Sequence, residues 1–438
     1  MKYNFFIITL FLSVIILSCK DQKAEIDIPE PKKSAYAQDS LVLNKEELYD
    51  KVLGALVGSA IGDAMGASTE MWHRSDIQHK YGYITGLTPA ERIQSPEGTW
   101  EHNLNAGATT DDTRWKYFMV SYFDTYSPDL NAKHFAKFIT DYYQSIASRL
   151  GDKEILASPD ALDARLEKVD WIKEWARVAL AYQKSTGDYL EAQNRFYGGE
   201  MSCAGMLYTP MFGLIEPNPE IAYLTAYKHS LFDLGYAKDI SGLVAAMTQM
   251  AMRTTNMDSI LNTAVFIDPM RYQDSRLVGR ISYNTANATR KYVNLSREIK
   301  SSDSLTLTDS LEINIPDHFS GTKTDWAQQE FVYALLEKDE KAIAFHAGEI
   351  WQIMIAGLAF GEGDFVKSIQ FIVNYGRDND TVAAVAGMIL GAKDGYTNLP
   401  VELRTEVLRV NREQLGIDLE ELASRMVGTM LPETVNTN

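Results

Sequence analysis

The sequence predicts an all-α protein with one large domain. Apolar residues recur at spacings of three and four through 132–188 and again through 324–375, the period of amphipathic helices. The alternation typical of a strand is confined to the short run Leu305–Leu307. No repeat of fixed period is visible, so a solenoid is not expected.

Composition excludes one broad class of function. The chain has 438 residues, of which 45% are hydrophobic and 23% charged, which is ordinary for a globular protein. Its formal net charge is −17, and no long run of lysine or arginine interrupts it. Since a nucleic-acid groove normally shows as a basic patch, we expect no nucleic-acid partner. We also expect a monomer.

The N-terminal segment resembles an export signal. An apolar run from Phe5 to Leu17 follows Lys2 and is too short to span a bilayer as a mature helix. It leads into Ser18-Cys19, which resembles the lipobox of bacterial lipoproteins. Residues 1–18 are therefore predicted to be a lipoprotein signal peptide, and Cys19 the lipidated residue that anchors an exported chain to a bacterial membrane, on the periplasmic or cell-surface side. The alternative is an ordinary signal peptide with an incidental cysteine.

The residues that follow are predicted to be a tether and then the domain. Residues 19–44 are polar and contain Pro29 and Pro31, so we expect a flexible tether there. The domain is predicted over 45–438. Only two cysteines occur in the chain, so with Cys19 acylated no intramolecular disulfide is possible.

The first helix of the domain is predicted to be buried. Asn44 and Glu47 have the spacing of a capping box, which places the helix start at Lys45. Glycines then recur every fourth residue, at Gly54, Gly58, Gly62 and Gly66. Each costs about 1 kcal/mol relative to alanine in a helix interior, and close helix–helix contact along a bare stripe is the natural compensation. Asp63 and Glu70, seven residues apart, lie on one side of this helix if it continues that far.

Two acidic clusters at predicted helix starts carry the chemistry. After an irregular loop predicted over Trp72–Leu104, Thr110-Asp111-Asp112 precedes an amphipathic run. The alternative for this motif is simple helix capping. The second cluster, Asp378, Asp380 and Thr381, precedes a helix with its own small-residue stripe. That stripe consists of Ala383, Gly387, Gly391 and Gly395.

Together the clusters predict a metal site. Four carboxylates in one place repel one another unless cations neutralise them. Their hard oxygens suit Mg²⁺ or Mn²⁺ better than Zn²⁺. We therefore expect two divalent cations, with Asp380 or Asp111 placed to bridge them, and we expect the two small-residue stripes to pack so closely that the clusters meet.

Three motifs in order resemble the ADP-ribosylglycohydrolase family, which includes the dinitrogenase-reductase-activating glycohydrolases. They are Gly62-Asp63-Ala64-Met65-Gly66 with Glu70, Thr110-Asp111-Asp112-Thr113, and Gly376-Arg377-Asp378-Asn379-Asp380-Thr381. The resemblance implies a single large orthogonal helical domain of that type, with helical and loop insertions near 124–200 and 255–323. It also implies hydrolysis of the bond between C1″ of ADP-ribose and an acceptor.

The resemblance further implies residue roles. The metal ligands would be Thr110, Asp111, Asp112, Asp378, Asp380 and Thr381. Glu70 would gate or polarise the site, and Asp111 or Asp112 would position or deprotonate the water. The substrate, a small molecule or an ADP-ribosylated group, would be contacted by Asp63, Gly205, His229 and Asn379.

Departures from the family pattern leave alternatives open. Leu207 stands where arginine is common, Arg377 stands where glycine is frequent, and Lys228 replaces a threonine before His229. A nucleoside-like or other ribosyl substrate is therefore the second hypothesis. A surface protein that binds its ligand without catalysis is the third.

Overall fold

Two long helices, packed face to face, run through the centre of the computed structural model. They are α1 (Lys45–Gly66) and α15 (Asn379–Asp394), and almost every residue of both is buried. The structure describes residues 40–91, 103–149, 167–300 and 315–431. The predicted signal peptide, Cys19, most of the tether and the run Leu305–Leu307 lie outside the described residues. The described residues group as one compact unit.

The helices confirm the predicted all-α class. Between α1 and α15 the chain forms α2 (Arg74–Tyr81), α3 (Asp111–Tyr126), α4 (Ala132–Arg149), α5 (Glu167–Lys184), α6 (Thr186–Phe196), α7 (Phe212–Ile215), α8 (Pro219–His229), α9 (Ala237–Ala251), α10 (Met257–Phe266), α11 (Ile281–Ser296), α12 (Lys323–Lys338), α13 (Ala347–Phe360) and α14 (Phe365–Tyr375). After α15 come α16 (Val401–Val410) and α17 (Leu419–Met430). None of the described helices is long and apolar enough to cross a bilayer.

Extended structure in the described ranges consists of two small ladders and one isolated antiparallel bridge between Ser202 and His346. β1 (Trp72–His73) pairs with β4 (Gly376–Arg377), and β2 (Ala90–Glu91) pairs with β3 (Asn103–Leu104), both antiparallel. Short 3₁₀ turns at Ala204–Leu207, Thr209–Met211, Tyr272–Asp274 and Tyr396–Asn398 complete the connections, together with one π turn at Asn411–Leu415.

The start of α1 follows the predicted capping box. The Asn44 side chain accepts a hydrogen bond from the Glu47 amide at 2.9 Å, and the Glu47 carboxylate accepts one from the Asn44 amide at 3.3 Å. Two amide groups that have no partner inside the helix are thereby satisfied.

The glycine stripes pack against each other, as predicted. A Cβ built on Gly54 would lie 2.5 Å from the carbonyl oxygen of Gly391, and one on Gly58 would strike the backbone of Gly387. Gly62 faces Ala383 in the same way, and Gly66 faces Asp380. The helices therefore touch backbone to backbone, at a separation that no larger side chain permits.

The predicted irregular loop over Trp72–Leu104 was partly wrong, because it contains α2. This helix is short and polar, with Ile77 as its buried residue, so it shows no apolar period. Its start is capped by the His73 ring, which accepts from the Ser75 amide at 3.2 Å. A helix held by a cap and a single anchor gives little sequence signal.

Candidate functional site

Glu70 is placed by a turn and a ladder, because α1 does not continue as far as Glu70. α1 ends at Gly66, and the chain then turns back toward β4. The Met71 amide donates to the Arg377 carbonyl at 2.6 Å, next to the β1–β4 pairing. Because β4 immediately precedes Asp378, this ladder brings the Glu70 turn against the second acidic cluster.

Arg377 adopts a backbone conformation that favours glycine. Its φ is +65°, in the left-handed region, which costs an ordinary residue about 1–2 kcal/mol. Its guanidinium donates to both carboxylate oxygens of Glu349, at 2.6 and 3.2 Å, and to the Lys341 carbonyl at 2.9 Å. This two-point pairing holds the side chain in place and offsets the backbone strain.

Three carboxylates meet at the junction of α1, β4 and α15. One oxygen from each of Glu70, Asp378 and Asp380 lies within 4.8 Å of the other two. We call these residues the carboxylate triad. Asp378 and Asp380 are buried, whereas Glu70 is half-buried, so the triad is accessible from the Glu70 side.

Asp63 holds the start of α3 against α1. One of its carboxylate oxygens accepts from the Thr110 amide at 2.8 Å. The other accepts from the Thr113 amide at 3.0 Å and from the Thr113 hydroxyl at 2.6 Å. Asp63 is fully buried, so these contacts are those of a residue that positions a helix. Its predicted contact with substrate stays a prediction.

The two acidic clusters meet, but they do not merge into one group of oxygens. The Thr381 hydroxyl donates to one oxygen of Asp112 at 3.1 Å, which links α15 to α3. The Thr110 hydroxyl accepts from the Asp112 amide at 3.4 Å, the contact of a helix cap. Asp111 and Asp112 lie outside the carboxylate triad. The ligand roles predicted for Thr110, Asp111, Asp112 and Thr381 therefore stay predictions.

Burial and neighbouring charges alter the acidity of the α3 cluster. Burial raises the pKa of Asp112 to about 7, and the negative charges of Asp63 and Asp111 act in the same direction. The nearby Lys116 ammonium opposes them. Burial likewise raises the pKa of Asp63, against the lowering effect of its hydrogen bonds from Thr113 and Thr110. Ionisation of Asp112 next to the negative charges of Asp63 and Asp111 is thus costly.

Lys116 is a site residue that sequence reasoning missed. Its side chain is 1% exposed, and its ammonium lies 3.5 Å from an oxygen of Asp112, one helical turn earlier. The available signal was its position: Lys116 shares the buried face of α3 with Met119, Val120 and Phe123. A lysine on an apolar face requires a buried partner.

Cys203 also lies beside the triad. Its thiol is 3.5 Å from an oxygen of Asp378 and is buried. Burial raises the pKa of the Cys203 thiol well above its usual value, and the charges of Asp378 and Asp112 add to that effect. The sequence showed only that one cysteine would remain reduced in the domain.

The residues predicted to bind substrate are engaged inside the protein. The Gly205 amide donates to Asp233 at 2.7 Å. The Asn379 amide group donates to the Thr69 hydroxyl and to the Val373 carbonyl, both at 2.8 Å. Its buried side-chain oxygen accepts no hydrogen bond from the described residues. The substrate roles of Gly205 and Asn379 stay predictions.

His229 lies in an aromatic part of the core. One ring nitrogen is 3.0 Å from the Tyr122 hydroxyl, and the other is 2.7 Å from the Thr225 carbonyl. The rings of Phe135 and Phe212 pack against it. Burial lowers the pKa of His229 to about 4, so the ring is neutral near pH 7. These contacts give it a structural role, and its predicted contact with substrate stays a prediction.

The carboxylate triad fits a divalent cation. Its donors are all carboxylate oxygens, the ligand type that Mg²⁺ and Mn²⁺ prefer. Three like charges within 4.8 Å of one another repel, and a cation removes that repulsion. The half-buried position of Glu70 leaves a side where water or substrate can complete the coordination.

Comparison with known proteins identifies a family and its relatives. Residues 44–434 match the model of the ADP-ribosylglycohydrolase family. The chain is 21% identical over 378 residues to the uncharacterized protein YegU of Escherichia coli (strain K12), covering 83% of this chain and 93% of that protein. It is 22% identical over 386 residues to an uncharacterized protein of Archaeoglobus fulgidus, covering 87% and 99%.

A solved structure shares the fold. The ADP-ribosylglycohydrolase-related protein complex aligns with a TM-score of 0.51 and 18% identity, over 88% of this chain and 99% of that one. Because the family model matches nearly all of the described domain, the chain belongs to the ADP-ribosylglycohydrolase family, whose members hydrolyse glycosidic bonds.

Proposed function

We propose that the protein hydrolyses the glycosidic bond between C1″ of ADP-ribose, or of a related ribosyl group, and its acceptor. The observation that carries this proposal is the carboxylate triad at the close contact between α1 and α15. Water supplies the new oxygen at C1″, the bond to the acceptor nitrogen or oxygen breaks, and the acceptor leaves with a proton.

The cation in this proposal is Mg²⁺ or Mn²⁺, held by Glu70, Asp378 and Asp380. Bound there, it would polarise ribose hydroxyls and a water molecule. The protein's own groups do the rest: Asp378 and Asp380 are fixed by burial, and half-buried Glu70 faces the accessible side. Asp111, also half-buried, lies at the start of α3, where its carboxylate can orient water.

A related substrate is the second candidate, and a specific observation favours it. The Gly205 amide and both ring nitrogens of His229 have partners inside the protein. Two groups predicted to hold ADP-ribose are therefore engaged elsewhere, which supports a nucleoside-like or other ribosyl substrate with the same triad.

Product release separates the candidates. The assay uses ADP-ribosyl-arginine, ADP-ribosyl-serine and a panel of nucleosides, each with Mg²⁺, Mn²⁺ or EDTA. We expect turnover of an ADP-ribosyl conjugate that EDTA abolishes. Turnover of nucleosides alone would favour the second candidate. Metal-dependent binding without any turnover would reject both in favour of a ligand-binding protein.

The triad is tested by Asp380→Ala. This variant removes one of three anionic ligands, so we expect it to lose both cation binding, measured by calorimetry, and activity. Asp258→Asn is the matched control, since Asp258 is an exposed acid on α10. If Asp380→Ala still binds its cation as the wild type does, the ligand assignment is wrong.

We further propose that the chain is exported and anchored through lipid on Cys19. The support is the Phe5–Leu17 apolar run and the cysteine that follows it. Labelled palmitate should be incorporated into the wild-type chain and not into Cys19→Ser. Equal labelling of both proteins would contradict the anchor.

A further inference from the structure

The buried ammonium of Lys116 lies against Asp112, in the first acidic cluster. Lys116 and Asp112 are one turn apart on α3 and are 1% and 2% exposed as side chains. The ammonium lies 3.5 Å from one oxygen of Asp112. It also acts electrostatically on Asp63, the residue that holds the start of α3. The Lys116 ammonium is thus built into the α3 side of the site.

Both oxygens of Asp112 are engaged by groups of the protein. One faces the Lys116 ammonium, and the other accepts from the Thr381 hydroxyl at 3.1 Å. The nearby Thr110 hydroxyl is used to cap α3. Three of the groups that would have to coordinate a second cation therefore already have partners within the protein.

The charge of Lys116 also disfavours a second cation at the start of α3. The Lys116 ammonium offsets part of the negative charge that Asp63, Asp111 and Asp112 bring to the start of α3, and a second divalent cation there would lie close to an ammonium of the same sign. That repulsion is strong in a buried, weakly screened site. The triad keeps three acidic groups for one cation.

We propose that the Lys116 ammonium takes the place of a second metal ion, so that the protein binds one divalent cation, in the carboxylate triad, where the motifs alone predict two. This inference rests on the triad being the cation site of the proposed function. It assigns Lys116 as the residue that sets the number of ions bound.

Counting bound Mn²⁺ tests the inference without any activity measurement. Equilibrium dialysis of the full chain gives ions per molecule, and electron paramagnetic resonance distinguishes an isolated Mn²⁺ from two coupled ions. Lys116→Met keeps the length of the side chain and removes its charge. We expect one ion in the wild type and two in Lys116→Met, with the second binding on the order of a hundredfold or more tighter than in the wild type.

Two further variants make the count decisive. Lys393→Met removes another buried, ion-paired lysine at the far end of α15 and should leave the count at one. Asp112→Asn should also keep one ion, because Asp112 is not a ligand in this proposal. It serves as the independent test if Lys116→Met does not fold.

The outcomes separate this inference from the proposed function. Two ions in the wild type, or one ion in folded Lys116→Met, would overturn the role of Lys116 while leaving the triad intact. Loss of the ion in Asp112→Asn would also overturn it. No bound ion in the wild type would refute the triad as a cation site, and the inference with it.

Discussion

Gly66→Ala tests whether the close approach of α1 and α15 sets the geometry of the carboxylate triad. A Cβ at Gly66 would lie 2.5 Å from the Asp380 amide nitrogen and 2.8 Å from the Asn379 carbonyl carbon. Both are backbone atoms, so no side-chain rotation relieves the clash. An ordinary contact starts at 3.4 Å, so the end of α1 and the start of α15 must separate by about 0.9 Å.

That displacement has two expected consequences. Overpacking of this kind costs about 1–3 kcal/mol of folding free energy, from which the helix preference of alanine over glycine returns up to about 1 kcal/mol. Metal–ligand distances tolerate about 0.2 Å, so moving Asp380 relative to Glu70 by several times that amount disturbs coordination. We expect Mn²⁺ affinity to fall by about 10–100-fold, the range for losing the support of a ligand.

Two glycine variants serve as controls in urea denaturation and Mn²⁺ titration. Gly54→Ala meets backbone atoms at the same distance, 2.5 Å, but lies about 18 Å further along α1, so it should lose stability and keep its Mn²⁺ affinity. Gly428 is an exposed residue of α17, and a Cβ there would meet no atom within 4 Å, so Gly428→Ala should lose neither. If Gly66→Ala binds Mn²⁺ as tightly as Gly54→Ala does, the helix contact does not set the site.

Three further predictions concern other buried groups. Arg280→Met leaves Asp239 buried without its partner, at present 2.7 and 2.8 Å away, and should cost about 3–5 kcal/mol of unfolding free energy; a loss below 1 kcal/mol in urea would contradict this. Since burial lowers the pKa of His229 to about 4, the unfolded chain binds a proton that the folded one does not between pH 6.5 and 4. The free energy of unfolding should therefore fall by up to about 3 kcal/mol as pH drops through that window, and His229→Gln should reduce this dependence on pH. An unchanged pH dependence in the variant would refute the assignment of this effect to His229. Because burial raises the pKa of the Cys203 thiol, it should react with a disulfide reagent at pH 8 only after unfolding, so a fast reaction of the native protein would show that the thiol is accessible.

Much of this fold could be predicted because its signals are local. The helical period of apolar residues, the Asn44–Glu47 capping box and the small-residue stripes each depend on neighbours within a few positions along the chain. The contact between the two small-residue stripes could also be predicted, since a helical face without side chains is stable only against another close backbone.

Elements with weak local signals escaped prediction. α2 is held by one cap and one buried residue, so nothing periodic marks it. The spacing of Asp63 and Glu70 did not show whether α1 reaches Glu70. The β1–β4 ladder places that residue, and the ladder joins segments about 300 residues apart in the chain. Arg377 shows the same limit, because its left-handed backbone is held by Glu349 from another helix.

The sequence by itself therefore determined the helical class, the family and the acidic residues of the site, because each of these is written in residue type and spacing. Only the tertiary structure decided which of those acids lie together and which lies beside a lysine. It joined Glu70 to Asp378 and Asp380, and it set Lys116 against Asp112. The reason is physical: which oxygens lie close together, and which lie beside an ammonium, depends on distances of a few ångströms between helices, and spacing along the chain does not fix those distances.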